Sequence, residues 1–170
     1  HQNLPEFDAV LTAIPRPNMA FWILSALWSG WLWRREAAEP FKVGLRRRRY
    51  DWGWHSAALH AAFGHLSKVL PEKTPLFALL AEPEPSFLSA ALIAASSKFA
   101  LKNLAMRTKD DPIQILWERT NSFPLKGKAG MGVGYAVKKH LRARGESTTY
   151  LHIHAQALSE FARAQNLLLP

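Results

Sequence analysis

The chain has 170 residues, of which 48% are hydrophobic and 21% charged, and this balance indicates a folded globular protein with a core of its own. It contains no cysteine, which excludes disulfides, thiolate zinc sites and cysteine nucleophiles. Lys and Arg outnumber Asp and Glu by 22 to 13, and the resulting formal charge of +9 favours polyanionic partners, chiefly nucleic acid.

The most apolar segment is the uncharged, tryptophan-rich stretch from Met19 to Trp33. A membrane-spanning helix needs about 20 apolar residues, and this shorter stretch also contains Ser25, Ser29 and Gly30. We therefore predict a buried helix and no membrane partner. No secretory signal pattern opens the chain, which predicts a cytoplasmic protein. Because the first residue is His1 and not Met, we expect a start inside a longer polypeptide.

Apolar spacing and proline positions predict an alternation of helices and strands. In chain order these are a strand at 7–12, helices at 19–35 and 51–70, a fully buried strand at 76–80, a helix at 85–98, and strands at 99–107 and 113–119. Asn18 is placed to cap the first helix, and Pro71 ends the second. The turn-prone segment Lys109 to Pro112 joins the last two strands into a predicted antiparallel hairpin. This order indicates an α/β layer fold that ends in a hairpin.

A change in composition divides the chain after the hairpin. Residues 121–134 are rich in glycine and lysine and predict a linker between an α/β region at 1–120 and a helical unit at 135–170. Val133, Val137 and Leu141 mark the apolar stripe of a helix that ends at Gly145. A second helix carries the apolar residues Leu151, Ala155, Leu158 and Ala162. Two short amphipathic helices across a tight turn are typical of a helix-turn-helix or winged-helix unit.

The segment FDAVLTAIPRP at residues 7–17 resembles the fourth motif of DNA amino-methyltransferases, in which a strand leads into a loop of the type Asp/Asn-Pro-Pro-Tyr. A helix, the segment LPEKTPLFALL at 70–80, another helix and a hairpin then follow, as in the C-terminal half of a class I methyltransferase sheet. This resemblance covers about residues 4–120. The tail, GYAVKKHLRARGEST followed by TYLHIHAQALSEFA, is similar to a helical unit found after the methylase core in some larger bacterial DNA methylase-like proteins.

In that family, the acidic or amide side chain and the first proline's carbonyl bind the exocyclic amine of the target base, and the aromatic residue stacks on the flipped base. Aligned with that loop, this chain has Ala13, Ile14, Pro15 and Arg16. Alanine has no hydrogen-bonding side chain and arginine replaces the ring, so we expect no catalytic residue in this loop. Arg16 could still stack on a base through its guanidinium plane.

The resemblance also implies where a cofactor would bind. In these enzymes a glycine-rich loop for S-adenosylmethionine precedes the fourth motif, and no such loop precedes residue 7. The glycine cluster Gly130 to Gly134 follows the hairpin instead, and we interpret it as a linker or a helix-entry turn. We therefore expect no cofactor in this chain, with S-adenosylmethionine possible only in a full-length parent.

Two basic clusters are the candidate nucleic-acid contacts. They consist of Arg46, Arg47, Arg48 and Arg49 in the first, and of Lys138, Lys139, Arg142 and Arg144 in the second. Phosphate contacts by such clusters would make DNA binding depend on salt. The first cluster could instead be a solvated approach to a helix or a contact to acidic residues of a missing domain. The second could serve packing or dimer formation, and we assign Trp52 to the core rather than to base stacking.

Histidine spacing gives no support to a metal site. His152 and His154 diverge by about 200° around a helix. His55, His60 and His65 are spread around the helix predicted for 51–70. With no cysteine and no acidic cluster beside them, we expect no metal ligands.

The sequence therefore predicts a degenerate, noncatalytic module derived from a DNA methyltransferase, which binds or positions DNA as part of a larger protein. A competing hypothesis is a structural or interaction domain, whose tryptophan-rich helix packs on a missing N-terminal half or on a homodimer partner. A third hypothesis keeps activity: the chain would be part of an S-adenosylmethionine-dependent DNA methyltransferase when full length.

Overall fold

The computed structural model of the chain describes residues 7–46, 51–108, 110–121, 129–145 and 147–164. The strands in these ranges are β1 (Val10–Ala13), β2 (Pro75–Leu80), β3 (Phe99–Ala105) and β4 (Ile113–Arg119). The helices are α1 (Met19–Ala38), α2 (Phe41–Leu45), α3 (Trp52–Val69), α4 (Pro85–Ala95), α5 (Ala129–Arg144) and α6 (Tyr150–Arg163). The predicted α/β class is thereby confirmed.

The strands form one mixed sheet in the order β1-β2-β4-β3. β1 and β2 are parallel, as their long connection through α1, α2 and α3 requires. β2 pairs antiparallel with β4, and β4 pairs antiparallel with β3. The predicted hairpin is confirmed, and β4 is inserted beside β2. β1 is an edge strand.

The core lies between one face of the sheet and the helices α3 and α4. Alternate residues of β2 and β4 are fully buried there, namely Leu76, Leu80, Ile113, Ile115 and Trp117. Phe63 of α3 meets Trp117 edge-on, with 5.6 Å between the ring centroids. The Ser56 hydroxyl donates to the Ala90 carbonyl at 3.2 Å, which joins α3 to α4. The prediction that the strand at 76–80 is fully buried is wrong, because Phe77 and Leu79 are 45% and 46% exposed and the described helices cover only one face of the sheet.

The helical tail shares this core. α6 packs on α4 and β3 as well as on α5. Ala155 and Ala162 are buried in the same hydrophobic cluster as the sheet residues. α5 begins at Ala129, inside the segment 121–134 predicted as a linker, and its first turns contain the glycine cluster. Residues 122–128 of that segment lie outside the described ranges. In the described part of the chain after β4 no strand is present that could form a wing.

The tryptophan-rich helix is the main departure from prediction. α1 extends to Ala38 across a kink at Trp33 and Arg34, where Arg34 has a φ of 71°. Trp28 and Trp31 are 54% and 79% exposed, so the prediction of a buried helix is wrong for this chain. The reason is that α1 packs mainly on α2, a helix that the sequence did not predict. None of the described helices combines the length and the apolar character needed to cross a membrane.

Candidate functional site

The loop that resembles the methyltransferase motif lies at the carboxyl end of β1. Because β1 and β2 are parallel, this loop and the one after β2 emerge at the same edge of the sheet. Ligands of open α/β sheets commonly bind at such an edge. The Ile14 N–H donates to the Leu79 carbonyl at 2.9 Å, which continues the strand pairing into the loop. This edge is the first candidate site.

The first three aligned positions present no polar side chain. Ala13 is the last residue of β1 and pairs with Leu79 of β2. The Ile14 side chain is 6% exposed and belongs to the hydrophobic core. Pro15 follows it and is half-buried. The loop therefore contributes packing at the positions where the resemblance would require groups that bind an exocyclic amine.

The fourth position, Arg16, is engaged by two carboxylates of the loop after β2. Its Nη2 donates to Glu84 Oε2 at 2.8 Å, and its Nη1 contacts the Glu82 carboxylate. All three side chains are solvent-exposed, so these ion pairs contribute little to stability. They nevertheless orient the guanidinium toward Glu82 and Glu84, and they compete with stacking on a base.

An aromatic cluster surrounds His55 in the first turn of α3. Trp52 stacks on Phe87 with 5.6 Å between centroids, so its predicted place in the core is confirmed. The His55 ring lies 5.9 Å from the Trp52 ring and 6.0 Å from the Phe87 ring. Its side chain is 1% exposed, and the backbone of Pro15 lies beside its ring.

His55 is the buried residue at this edge that sequence reasoning missed. Burial lowers the pKa of His55, and the neighbouring Pro15 carbonyl raises it to a smaller extent. A signal was present in the sequence, since His55 lies four residues before Leu59 on the apolar side of α3. The ring is therefore a core group beside the loop, and burial favours its neutral form.

The two basic clusters lie on different parts of the chain. Arg46 follows α2 and is exposed, whereas Arg47, Arg48 and Arg49 lie outside the described residues. On α5, the exposed residues of the second cluster are Lys138, Lys139, Arg142 and Arg144. Within the described ranges, the first three of these form no ion pair. α2 packs on α1 and α5 packs on α6, so each cluster belongs to its own helix pair.

α5 and α6 bring two histidines together that the sequence had not paired. The rings of His140 and His152 stack at 6.2 Å with an interplanar angle of 21°. His152 is 6% exposed, and its Nδ1 lies 2.8 Å from the Thr149 hydroxyl. Burial lowers the pKa of His140, and positive charge on His152 and Arg144 lowers it further. His154 instead contacts Tyr150.

No cluster of three or more histidine or acidic side chains suited to a metal ion occurs among the residues described. No known protein family, curated protein or solved structure matches this chain. Function must therefore be inferred from the chain's own surfaces: the carboxyl edge of β1 and β2, the basic side of α5, and the exposed apolar residues.

Proposed function

We propose that the chain is a noncatalytic module derived from a class I DNA methyltransferase, and that it binds or positions DNA as part of a larger protein. The sheet supports this origin. A parallel strand pair joined by a helical crossover and closed by an antiparallel hairpin is the arrangement that the sequence resemblance implies. The motif-like loop also stands at the carboxyl end of a parallel strand, where such a loop would be needed.

The side chains of the motif-like loop support the proposal that the chain is noncatalytic. Ala13 has no hydrogen-bonding side chain, and Arg16, which stands in place of the aromatic ring that would stack on the base, is held by Glu82 and Glu84. We expect the chain, incubated with duplex DNA and radiolabelled S-adenosylmethionine, to transfer no methyl group above a protein-free control. Transfer above that control would contradict this part of the proposal.

The basic side of α5 is the observation that carries the DNA-binding part. Lys138 and Arg142 are four residues apart and Lys139 adjoins them, so three exposed cations cluster on about one turn of helix. None of the three forms an ion pair with another described residue, which favours contact with phosphates. α6 is less suited to reading bases, because His152, Ala155 and Ser159 are buried against the rest of the protein. The expected mode is therefore backbone contact with little sequence preference.

Fluorescence anisotropy of a labelled duplex, titrated with the chain at 50 to 200 mM salt, tests this surface. We expect binding that weakens steeply as the salt concentration rises. Lys138→Glu with Arg142→Glu should reduce the affinity at least about tenfold and lower the salt slope by about two. Lys68→Glu with Lys98→Glu makes the same change in net charge on exposed residues elsewhere, and it should retain most of the affinity.

Two results would contradict DNA binding through α5. One is the absence of binding at the lowest salt concentration. The other is an equal loss in the α5 variant and in the Lys68 and Lys98 variant, since that would show a response to net charge alone.

A further inference from the structure

The face of the sheet opposite the core is open. Its residues form two rows across the strands, namely Leu11, Phe77, Leu116 and Asn103 in one row and Ala13, Leu79, Gln114 and Ala105 in the other. These rows line a trough of about 560 Å³. Leu11 is 81% exposed, and Phe77 and Leu79 are nearly half exposed. Sheets normally bury an apolar face against a second layer, so this face lacks a cover in the described chain.

α1 carries a second apolar surface, which no other described element covers. Its exposed stripe consists of Ile23, Leu24, Leu27, Trp28 and Trp31, which follow the helical repeat. The opposite side of α1 is already occupied, because Trp22 contacts Phe41 of α2 and Trp54 of α3. No charged residue occurs from Met19 to Trp33. The stripe is therefore an elongated apolar surface on the side of α1 opposite to α2 and α3.

We propose that two copies of the chain form a dimer through two reciprocal contacts. In each contact the α1 stripe of one copy lies in the open trough of the other copy's sheet, while α1 stays packed on its own chain. A helix on a sheet is a standard layer packing. A twofold axis would place both contacts in one closed interface and leave neither apolar surface exposed. The inference is independent of DNA binding, because it uses neither α5 nor the basic residues after α2.

The exposed area is sufficient for a stable dimer. The two tryptophans of the stripe can bury about 150–250 Å² each, and its three aliphatic residues add roughly 100 Å² each, so the stripe offers roughly 600–800 Å² per copy. Together with the trough residues, two reciprocal contacts bury on the order of 2,000 Å², which is within the range of stable interfaces. Pairing of α1 with α1 alone would bury less and would leave Leu11 and Phe77 exposed.

The charge distribution permits this contact, although each copy has a formal net charge of +9. The stripe contains no ionisable group, and the polar members of the trough, Asn103 and Gln114, are neutral. Like charges are therefore not placed against one another across the buried surface, where repulsion would be strongest.

Sedimentation velocity of the whole chain without DNA, from 1 to 100 µM, tests the reciprocal dimer. We expect a dimer. A helix variant, Leu27→Glu with Trp31→Glu, and a sheet variant, Leu11→Lys with Phe77→Lys, should each weaken dimerisation at least about 100-fold, because charges would be buried against an apolar partner surface. Tyr135→Glu with Tyr150→Glu is the matched control at exposed aromatic residues elsewhere, and it should remain dimeric.

Mixing the helix variant with the sheet variant distinguishes the reciprocal dimer, in which a stripe contacts a trough, from other dimers. In the mixed pair, one contact joins an intact stripe to an intact trough, and the other joins Glu side chains to Lys side chains. The equimolar mixture should therefore recover dimers that neither variant forms alone. Circular dichroism of each variant checks that it is folded.

The proposal is overturned if the unmodified chain is monomeric at 100 µM, which would assign both surfaces to a different polypeptide. It is equally overturned if the folded sheet variant remains dimeric, since α1 would then pair with α1. Failure of the mixture to dimerise would also exclude the reciprocal dimer.

Discussion

His55 lies beside both Trp52 and Phe87, with 1% of its surface exposed. Burial lowers its pKa below the ordinary value of 6.5, and the Pro15 carbonyl opposes this to a smaller extent. The folded chain therefore binds fewer protons at this residue than the unfolded chain in the pH range between the two pKa values. The stability that neutral His55 contributes is fully present above a pH of about 6.5 and is lost as the pH falls below it.

His55→Phe removes this titration and keeps an aromatic ring in the cluster. From pH 8 to pH 5, the melting temperature of the unmodified chain should fall, and that of the variant should fall less. Some pH dependence should remain, because burial also lowers the pKa values of His140 and His154. His65→Phe, at an exposed position of the same helix, should keep the original slope. Equal slopes for the chain and the His55 variant would show that His55 is not protonated during acid unfolding.

Among the elements, β4 connects the hairpin to the rest of the sheet, because it lies between β2 and β3 and pairs with both. Its buried side supplies Ile113, Ile115 and Trp117 to the core. Trp117 is 1% exposed and contacts Phe63 edge-on, so it joins the sheet to α3. The stability of the sheet should therefore depend strongly on this one side chain.

Trp117→Ala should lower the free energy of unfolding by about 3–5 kcal/mol, the usual cost of truncating a large buried aromatic residue. Urea denaturation followed by circular dichroism measures the loss without relying on tryptophan fluorescence. Trp117→Phe should lose less, since it preserves a ring against Phe63. Tyr135→Ala truncates a residue that is 69% exposed and should change stability by about 0.5 kcal/mol or less. A Trp117→Ala loss as small as that of Tyr135→Ala would refute the packing described for β4.

At the scale of the whole molecule, the helical tail and the α/β region are joined through one core. α6 contacts α4 and β3, and its Ala155 is 1% exposed within the cluster that also contains Trp117. A tail attached only through a flexible connection would unfold separately. Shared burial instead predicts that the tail and the sheet unfold in one cooperative transition.

Ala155→Asp tests this coupling by placing an unpaired charge in the shared core. We expect a loss of several kcal/mol and a single transition at a lower temperature, seen by both near-UV and far-UV circular dichroism. Tyr150→Asp makes the same change in charge at an exposed position of α6 and should have a small effect. Loss of helical signal with an unchanged near-UV transition of the sheet would show that the tail folds independently.

Local patterns were sufficient to predict most elements. Asn18 was expected to cap α1, and its Oδ1 accepts a hydrogen bond from the Ala20 N–H at 2.8 Å. The alternation in β3 and β4 predicted the hairpin, and Pro71 and Pro85 mark the end of α3 and the start of α4. These features depend on residues a few positions apart, so they can be read from the chain alone. α2 was missed because its one short turn has too few residues to show a helical repeat.

The sequence by itself determined the α/β class, the order of its main elements and the absence of polar side chains at Ala13 and Ile14. Only the tertiary structure decided that Arg16 pairs with Glu84, 68 residues away, and that His55 is buried beside the loop. It also decided that the α1 stripe and one sheet face lie open. The periodicity of a strand or a helix shows which residues share a side, but another layer covers that side only if the folded topology brings one there.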